Sequence, residues 1–260
     1  MQRMRPPNGF LLRSVNFMTH LFDWRTDVIR FSFLGCTDEA AEAINWYALT
    51  GKDPESETRK KSLGTRNEEG PLGEGWLTVN AQSGRVDVLL TPVQPQVMPK
   101  EPPHLGSLPK AAADLQERIL GLKLPSSARL AIGAQISLLV ADPVTAIKYM
   151  NQLSPYADFK ESLIDVVFQY NEPKKLKSSG IEFNRLFKWT QAKLQFFQFG
   201  ITPDGKQAPI GPAMNVQNML QLEMDFNTSP NAPMLHQSAQ QSVVKEMFEI
   251  LIAEGHPQGS

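Results

Sequence analysis

Trp76-Leu77-Thr78-Val79-Asn80-Ala81, then Gln82-Ser83-Gly84, then Arg85-Val86-Asp87-Val88-Leu89-Leu90-Thr91-Pro92 is the stretch that decides the fold. Apolar and polar residues alternate at period two on both sides of a short connection ending in glycine, the pattern of two antiparallel strands joined as a hairpin. An isolated hairpin is marginal in water, so the same pattern must recur to build a sheet with one buried face.

Upstream, Ile29, Phe31 and Phe33 alternate with Arg30 and Ser32, which predicts a strand over 28–34. A helix is expected over 38–49, with Thr37 or Asp38 as its N-cap. Residues 51–75 are dense in Lys, Glu, Arg and Gly and show no period that buries a face, so they read as a mobile charged loop.

Downstream, Pro92, Pro95, Pro99, Pro102 and Pro103 form a stiff crossover into a helix over 108–122, with Ser107 at its cap. Residues 129–141 read as a long strand, and Asp142-Pro143 supplies the N-cap and N1 proline of a helix over 144–153. Further strands are expected over 162–170, 189–199 and 220–227, and a last helix over 237–253.

The fold class is therefore α+β, mainly antiparallel sheet with covering helices. The runs 85–122 and 220–253 both pass from a strand ending at a threonine through proline-containing coil to an amphipathic helix. That similarity points to two related sheet-plus-helix halves, residues 1–125 with the charged loop, and residues 126–260.

Composition narrows the function classes. The 260-residue chain is 41% hydrophobic and 20% charged, enough to bury a core without staples. A net charge of -1 supplies no long-range attraction for phosphates. One cysteine, Cys36, fits a reducing compartment, so cytoplasm is the expected location. The first residues are cut by Arg13, His20, Asp23 and Arg25, unlike a signal peptide, and no window nears the roughly 18 apolar residues of a membrane span.

Catalytic patterns are scarce. His20, His104, His236 and His256 stand in no metal-ligating spacing, so no metal site is expected. No phosphate-binding glycine loop or nucleophile elbow is visible, and no cofactor is implied. The nearest approach to an enzyme is Asp165 followed by Glu172-Pro173-Lys174, the Asp…Glu-x-Lys order of metal-dependent nucleases. Period-two alternation and Pro173 both act against convergence of these groups.

Lys174, Lys175, Lys177, Arg185 and Lys188 interleave with Phe183, Phe187, Trp189, Phe196, Phe197 and Phe199. Such a mixture suits stacking on RNA or single-stranded DNA, and equally suits a central strand covered on both faces.

At Tyr170-Asn171-Glu172-Pro173, followed by Asn184-Arg185-Leu186-Phe187-Lys188-Trp189, the chain resembles a sporadically distributed family of uncharacterised bacterial proteins of about this length. The ending Asp225-Phe226-Asn227-Thr228 resembles that family's C-terminal strand, and the resemblance spans 85–253. It implies the fold and a bacterial origin but no reaction. Asn184, Arg185, Lys188 and Trp189 are the candidate binding residues, and Asp225, Asn227 and Thr228 a candidate structural motif. An Arg185–Asp225 pair across neighbouring strands is expected, with Asn184 and Asn227 satisfying backbone at strand ends.

The reading that results is a non-enzymatic interaction or scaffold protein, using exposed sheet surface or a sheet edge to bind a protein partner or itself. The sporadic distribution associates it with accessory systems of phage defence or toxin-antitoxin type. The alternatives are a metal-dependent nuclease on Asp165, Glu172 and Lys174, and an RNA or single-stranded DNA binding protein.

Overall fold

The computed structural model describes residues 22–95, 99–196, 199–201, 207–209, 215–232, 235 and 237–256. In chain order the elements are β1 (Arg25–Leu34), α1 (Asp38–Ala43), α2 (Trp46–Thr50), β2 (Ser56–Lys60), β3 (Thr65–Leu72), β4 (Gly75–Gln82), β5 (Arg85–Pro92), α3 (Leu108–Gly121) and β6 (Arg129–Val140). They continue with α4 (Pro143–Leu153), β7 (Val167–Asn171), β8 (Lys174–Lys175), β9 (Glu182–Phe196), β10 (Phe199–Ile201), β11 (Gln207–Pro209), β12 (Asn215–Thr228) and α5 (Gln237–Glu254).

Ten strands form one antiparallel sheet in the order β2-β3-β4-β5-β1-β6-β12-β9-β7, with β8 on the far end of β9 beside β7. The α+β class, with antiparallel sheet and covering helices, holds. The order strand, helix, antiparallel strands, helix runs once from β1 to α3 and again from β6 to α5. The first strands of the two runs, β1 and β6, lie side by side at the centre, with Phe31 opposite Ile132.

Period-two alternation sorts each strand's residues between two unlike faces. On one face a row runs Glu68, Val79, Val88, Phe31, Ile132, Phe226, Arg185 from β3 to β9. All five helices pack on this side: Ala41, Trp46, Leu115, Met150 and Phe248 share one core cluster with its apolar members. Phe31 stacks on Phe248 of α5 with centroids 5.7 Å apart. Each such fully buried side chain contributes about 1.5–3 kcal/mol through apolar transfer. The opposite face carries the row Thr58, Asn67, Asn80, Asp87, Ser32, Ala131, Asn227, Asn184.

Residues 51–75 are not a loop, because β2 and β3 build the outer flank of the sheet there. The inward positions of β3 are Arg66, Glu68 and Gly70, so the strand buries charge and glycine where a period search looks for apolar residues. Arg66 is 4% exposed and caps the C-terminal end of α1, donating to the carbonyls of Ala41 and Ile44 at 3.1 and 2.6 Å. Its guanidinium also meets Glu68 at 3.3 Å and Glu42 at 2.6 Å. Gly70 leaves the space taken by the Trp46 ring.

The single helix expected over 38–49 is two. Thr37 caps α1 by accepting from the Ala40 amide, and Asn45 restarts the chain as the cap of α2, accepting from Ala48 at 2.8 Å. The strand expected over 162–170 is shorter, only β7. Before it, Asn151 accepts from the Phe159 amide at 2.9 Å and donates to its carbonyl at 2.7 Å, holding that coil against α4. Asp142 caps α4 as expected, accepting from Thr145 at 2.7 Å, whereas Ser107 makes no side-chain cap bond. Of the strand expected over 189–199, Phe197 and Gln198 lie outside the described residues.

Candidate interaction surface

The residues singled out in the sequence do not converge. Arg185 and Trp189 point into the helix-covered face, while Asn184 and Lys188 lie on the other. Arg185 is opposite Phe226, so Asp225 sits one residue away on the reverse face and pairs instead with Arg30 at 3.4 Å. The expected Arg185–Asp225 pair is therefore absent.

Arg185 is fully buried and fully engaged. Its Nε donates to the Glu172 carbonyl at 3.1 Å, one terminal nitrogen to the Glu172 carboxylate at 2.6 Å, and the other to the carboxylate of Glu254. The guanidinium lies 5.6 Å from the Phe187 ring centroid. A buried cation with two carboxylates and a ring ties α5 to the chain after β7, which is a structural clamp.

The nuclease-like triplet is also dispersed. Glu172 is held by Arg185, and Lys174 lies 3.5 Å from Glu254. Asp165 precedes β7 and Glu172 follows it, with the whole strand Val167–Asn171 between them, a length of about 13 Å at about 3.3 Å per strand residue. Among the described residues no group of three or more His, Cys, Asp or Glu side chains is placed to hold a metal ion.

The expected stacking surface dissolves for the same reason of alternation. Phe183, Phe187 and Trp189 are buried under the helices, and Lys188 pairs with Glu223 at 3.1 Å. Asn227 accepts from Arg129 at 2.7 Å, and Asn184 accepts from the Asn171 side chain at 3.4 Å; both serve side chains, not strand-end backbone. Thr228 does serve backbone: its hydroxyl accepts from the Leu130 amide at 3.0 Å. His104 accepts from the Gly106 amide through Nδ1 at 3.0 Å, and His20 and His236 lie outside the described residues. Cys36 is buried, and burial pushes its thiol pKa up, away from the reactive thiolate.

The apolar sheet face needs no partner, because the helices cover it, which overturns one motive for expecting an interaction protein. The open face satisfies itself through Arg30 with Asp225, Arg85 with Asp87 at 2.6 Å, and Arg129 with Asn227. The edges of the sheet carry backbone groups that no neighbouring strand pairs, and the two edges differ.

β2, at one end, is Ser56-Glu57-Thr58-Arg59-Lys60, exposed at every position and charged at Glu57, Arg59 and Lys60. Charges on an edge strand discourage pairing with another chain. β7, at the other end, is Val167-Phe168-Gln169-Tyr170-Asn171 and carries no charge. Around it stand three exposed aliphatic groups, Ile164 at 72%, Val167 at 60% and Leu163 at 42%, with Tyr156 at 56%, whereas beside β2 the exposed aliphatic group among the described residues is Leu63 at 65%, in the turn that leads to β3. Tyr156 packs edge-on against Tyr170 at 4.8 Å, and Tyr170 stacks on Phe187 at 5.0 Å, so the inner side of this edge is fixed by the core.

The hydrogen-bond ladder sets which groups of β7 are free. The Gln191 amide donates to the Val166 carbonyl and the Glu172 amide to the Arg185 carbonyl, both at 2.9 Å. In an antiparallel ladder alternate residues face the neighbouring strand. The even-numbered residues of β7 therefore face β9, and Val167, Gln169 and Asn171 direct their backbone groups outward. The sequence hid this edge inside the run Leu163-Ile164-Asp165-Val166-Val167-Phe168, whose apolar residues occupy both parities, a signal of two-sided burial that one chain does not complete.

No helix among the described residues is long and apolar enough to cross a membrane. No protein-family model matches the chain, and no curated protein matches it.

Proposed function

We propose that this protein is a non-enzymatic interaction protein that takes an extended strand of a binding partner onto its β7 edge. The observation that carries the reading is the contrast between the charged β2 edge and the uncharged, aliphatic-flanked β7 edge of the same sheet. Strand addition draws affinity from main-chain hydrogen bonds and specificity from alternate side chains. Here the free backbone groups are those of Val167, Gln169 and Asn171, and the apolar contacts are Val167, Ile164 and Leu163.

Size-exclusion chromatography with light scattering tests it. The reading predicts an assembly heavier than the 29.0 kDa chain that falls back to that mass with Gln169→Pro. Proline removes an outward donor, which an edge strand tolerates. A wild-type chain that stays at 29.0 kDa and recruits no partner from soluble extracts of its source cells contradicts the reading.

A further inference from the structure

We infer that the strand received at the β7 edge is β7 of a second copy, paired antiparallel about a two-fold axis through Gln169; this rests on the strand-addition reading above. The register follows from the outward groups. Only residues 167, 169 and 171 present free amides and carbonyls, and hydrogen-bonded pairs in an antiparallel ladder require such a residue on both strands. Centring on Gln169 matches Val167 with Asn171 of the second copy, Gln169 with itself, and Asn171 with Val167, using every outward group of the strand. Moving the centre one residue on, to Tyr170, would set Pro173, which has no amide proton, opposite Val167.

Side-chain chemistry agrees with that register. A two-fold axis perpendicular to the sheet keeps like faces together. Phe168 then lies beside Tyr170 of the second copy on the helix-covered side, extending the stack of Tyr170 on Phe187. No charged residue of β7 opposes another. Beyond the strand, Asp165 comes opposite Pro173 of the second copy, next to its Lys174 and Lys175. Asp165 is exposed, stands in the left-handed region at φ 56°, and has no ion-pair partner among the described residues; Lys175 likewise has none. The charges left over at the two ends of one edge are thus complementary across the axis.

Cross-linking and charge reversal test the proposal in the full chain, with Cys36→Ala removing the native thiol. Gln169→Cys should form, on mild oxidation, a disulfide-linked species of twice 29.0 kDa, whereas Thr58→Cys on the β2 edge should not. Asp165→Lys should weaken the dimer about tenfold, and adding Lys175→Glu should restore most of the loss. Circular dichroism confirms that each variant is folded.

A heavier assembly sensitive to Gln169→Pro, but without the Gln169→Cys cross-link or with an added mass other than 29.0 kDa, overturns the second copy and leaves strand addition standing. A dimer indifferent to Gln169→Pro, or no assembly at all, overturns both.

Discussion

Glu68 and Arg185 belong to one cross-strand row on the helix-covered face, with Val79, Val88, Phe31, Ile132 and Phe226 between them. The row is apolar at its centre and buries one charge at each flank, 5% and 0% exposed. Each charge fastens a helix. Glu68 accepts from the Trp46 amide at the start of α2 at 2.7 Å, and Arg185 reaches Glu254 at the end of α5. The negative group meets a helix N-terminus and the positive group a carboxylate, so neither is left uncompensated.

Removing Arg185 strands the carboxylates gathered around it. Arg185→Ala should cost about 3–5 kcal/mol in urea denaturation, the scale for breaking a buried ion pair from one side. Glu172→Gln, at a side chain 43% exposed, should cost less than about 1 kcal/mol. Equal losses in the two variants would show that Arg185 is not a clamp.

On the opposite flank, Glu68→Ala removes the acceptor of the Trp46 amide and the neighbour of buried Arg66. A loss of about 2–4 kcal/mol is expected, with a red shift of tryptophan fluorescence as Trp46 gains solvent. Glu68→Gln keeps an acceptor for the amide and should lose less.

Gly133 sits where β6 and β12 approach closely. A Cβ there would stand 2.9 Å from the Met224 carbonyl oxygen. Backbone of a central strand does not give way as a side-chain tip does, so Gly133→Ala should destabilise by about 1–3 kcal/mol without altering association. Thermal unfolding and light scattering together read both halves of that statement.

Asp27 gives a pH signature. Burial holds its carboxyl above the usual aspartate range, despite hydrogen bonds from Gln135 at 3.0 Å and Ser137 at 2.8 Å. The folded state then binds the proton more tightly than the unfolded chain. Asp27 consequently favours folding most at pH below the ordinary aspartate value, and that contribution is lost as pH rises through its raised folded value. Asp27→Asn should therefore raise the melting temperature at pH 7, with the gain shrinking toward pH 4. A gain independent of pH would show that charge is not its cause.

Where burial is apolar, the sequence was legible. β5 spans the residues read from its alternation, and α3, β6, α4 and α5 fall within a residue or so of their patterns. β3 was not legible, because Arg66, Glu68 and Gly70 occupy its inward positions and partner α1 and α2 across the fold. Arg185 read as a surface cation for the same reason, since its partners Glu172 and Glu254 lie 13 and 69 residues away. The β7 edge depends on strand order, which places it last in the sheet; local sequence carries only the two-sided apolar run around it.

Amide hydrogen exchange at Val167, Gln169 and Asn171 tests strand addition at β7 most directly. Their amides are outward and unpaired in one chain, so protection arises only when another strand is bound. The account predicts slow exchange at all three at concentrations where the assembly forms, and fast exchange on dilution or with Gln169→Pro. Fast exchange at these amides in an assembled sample would contradict it.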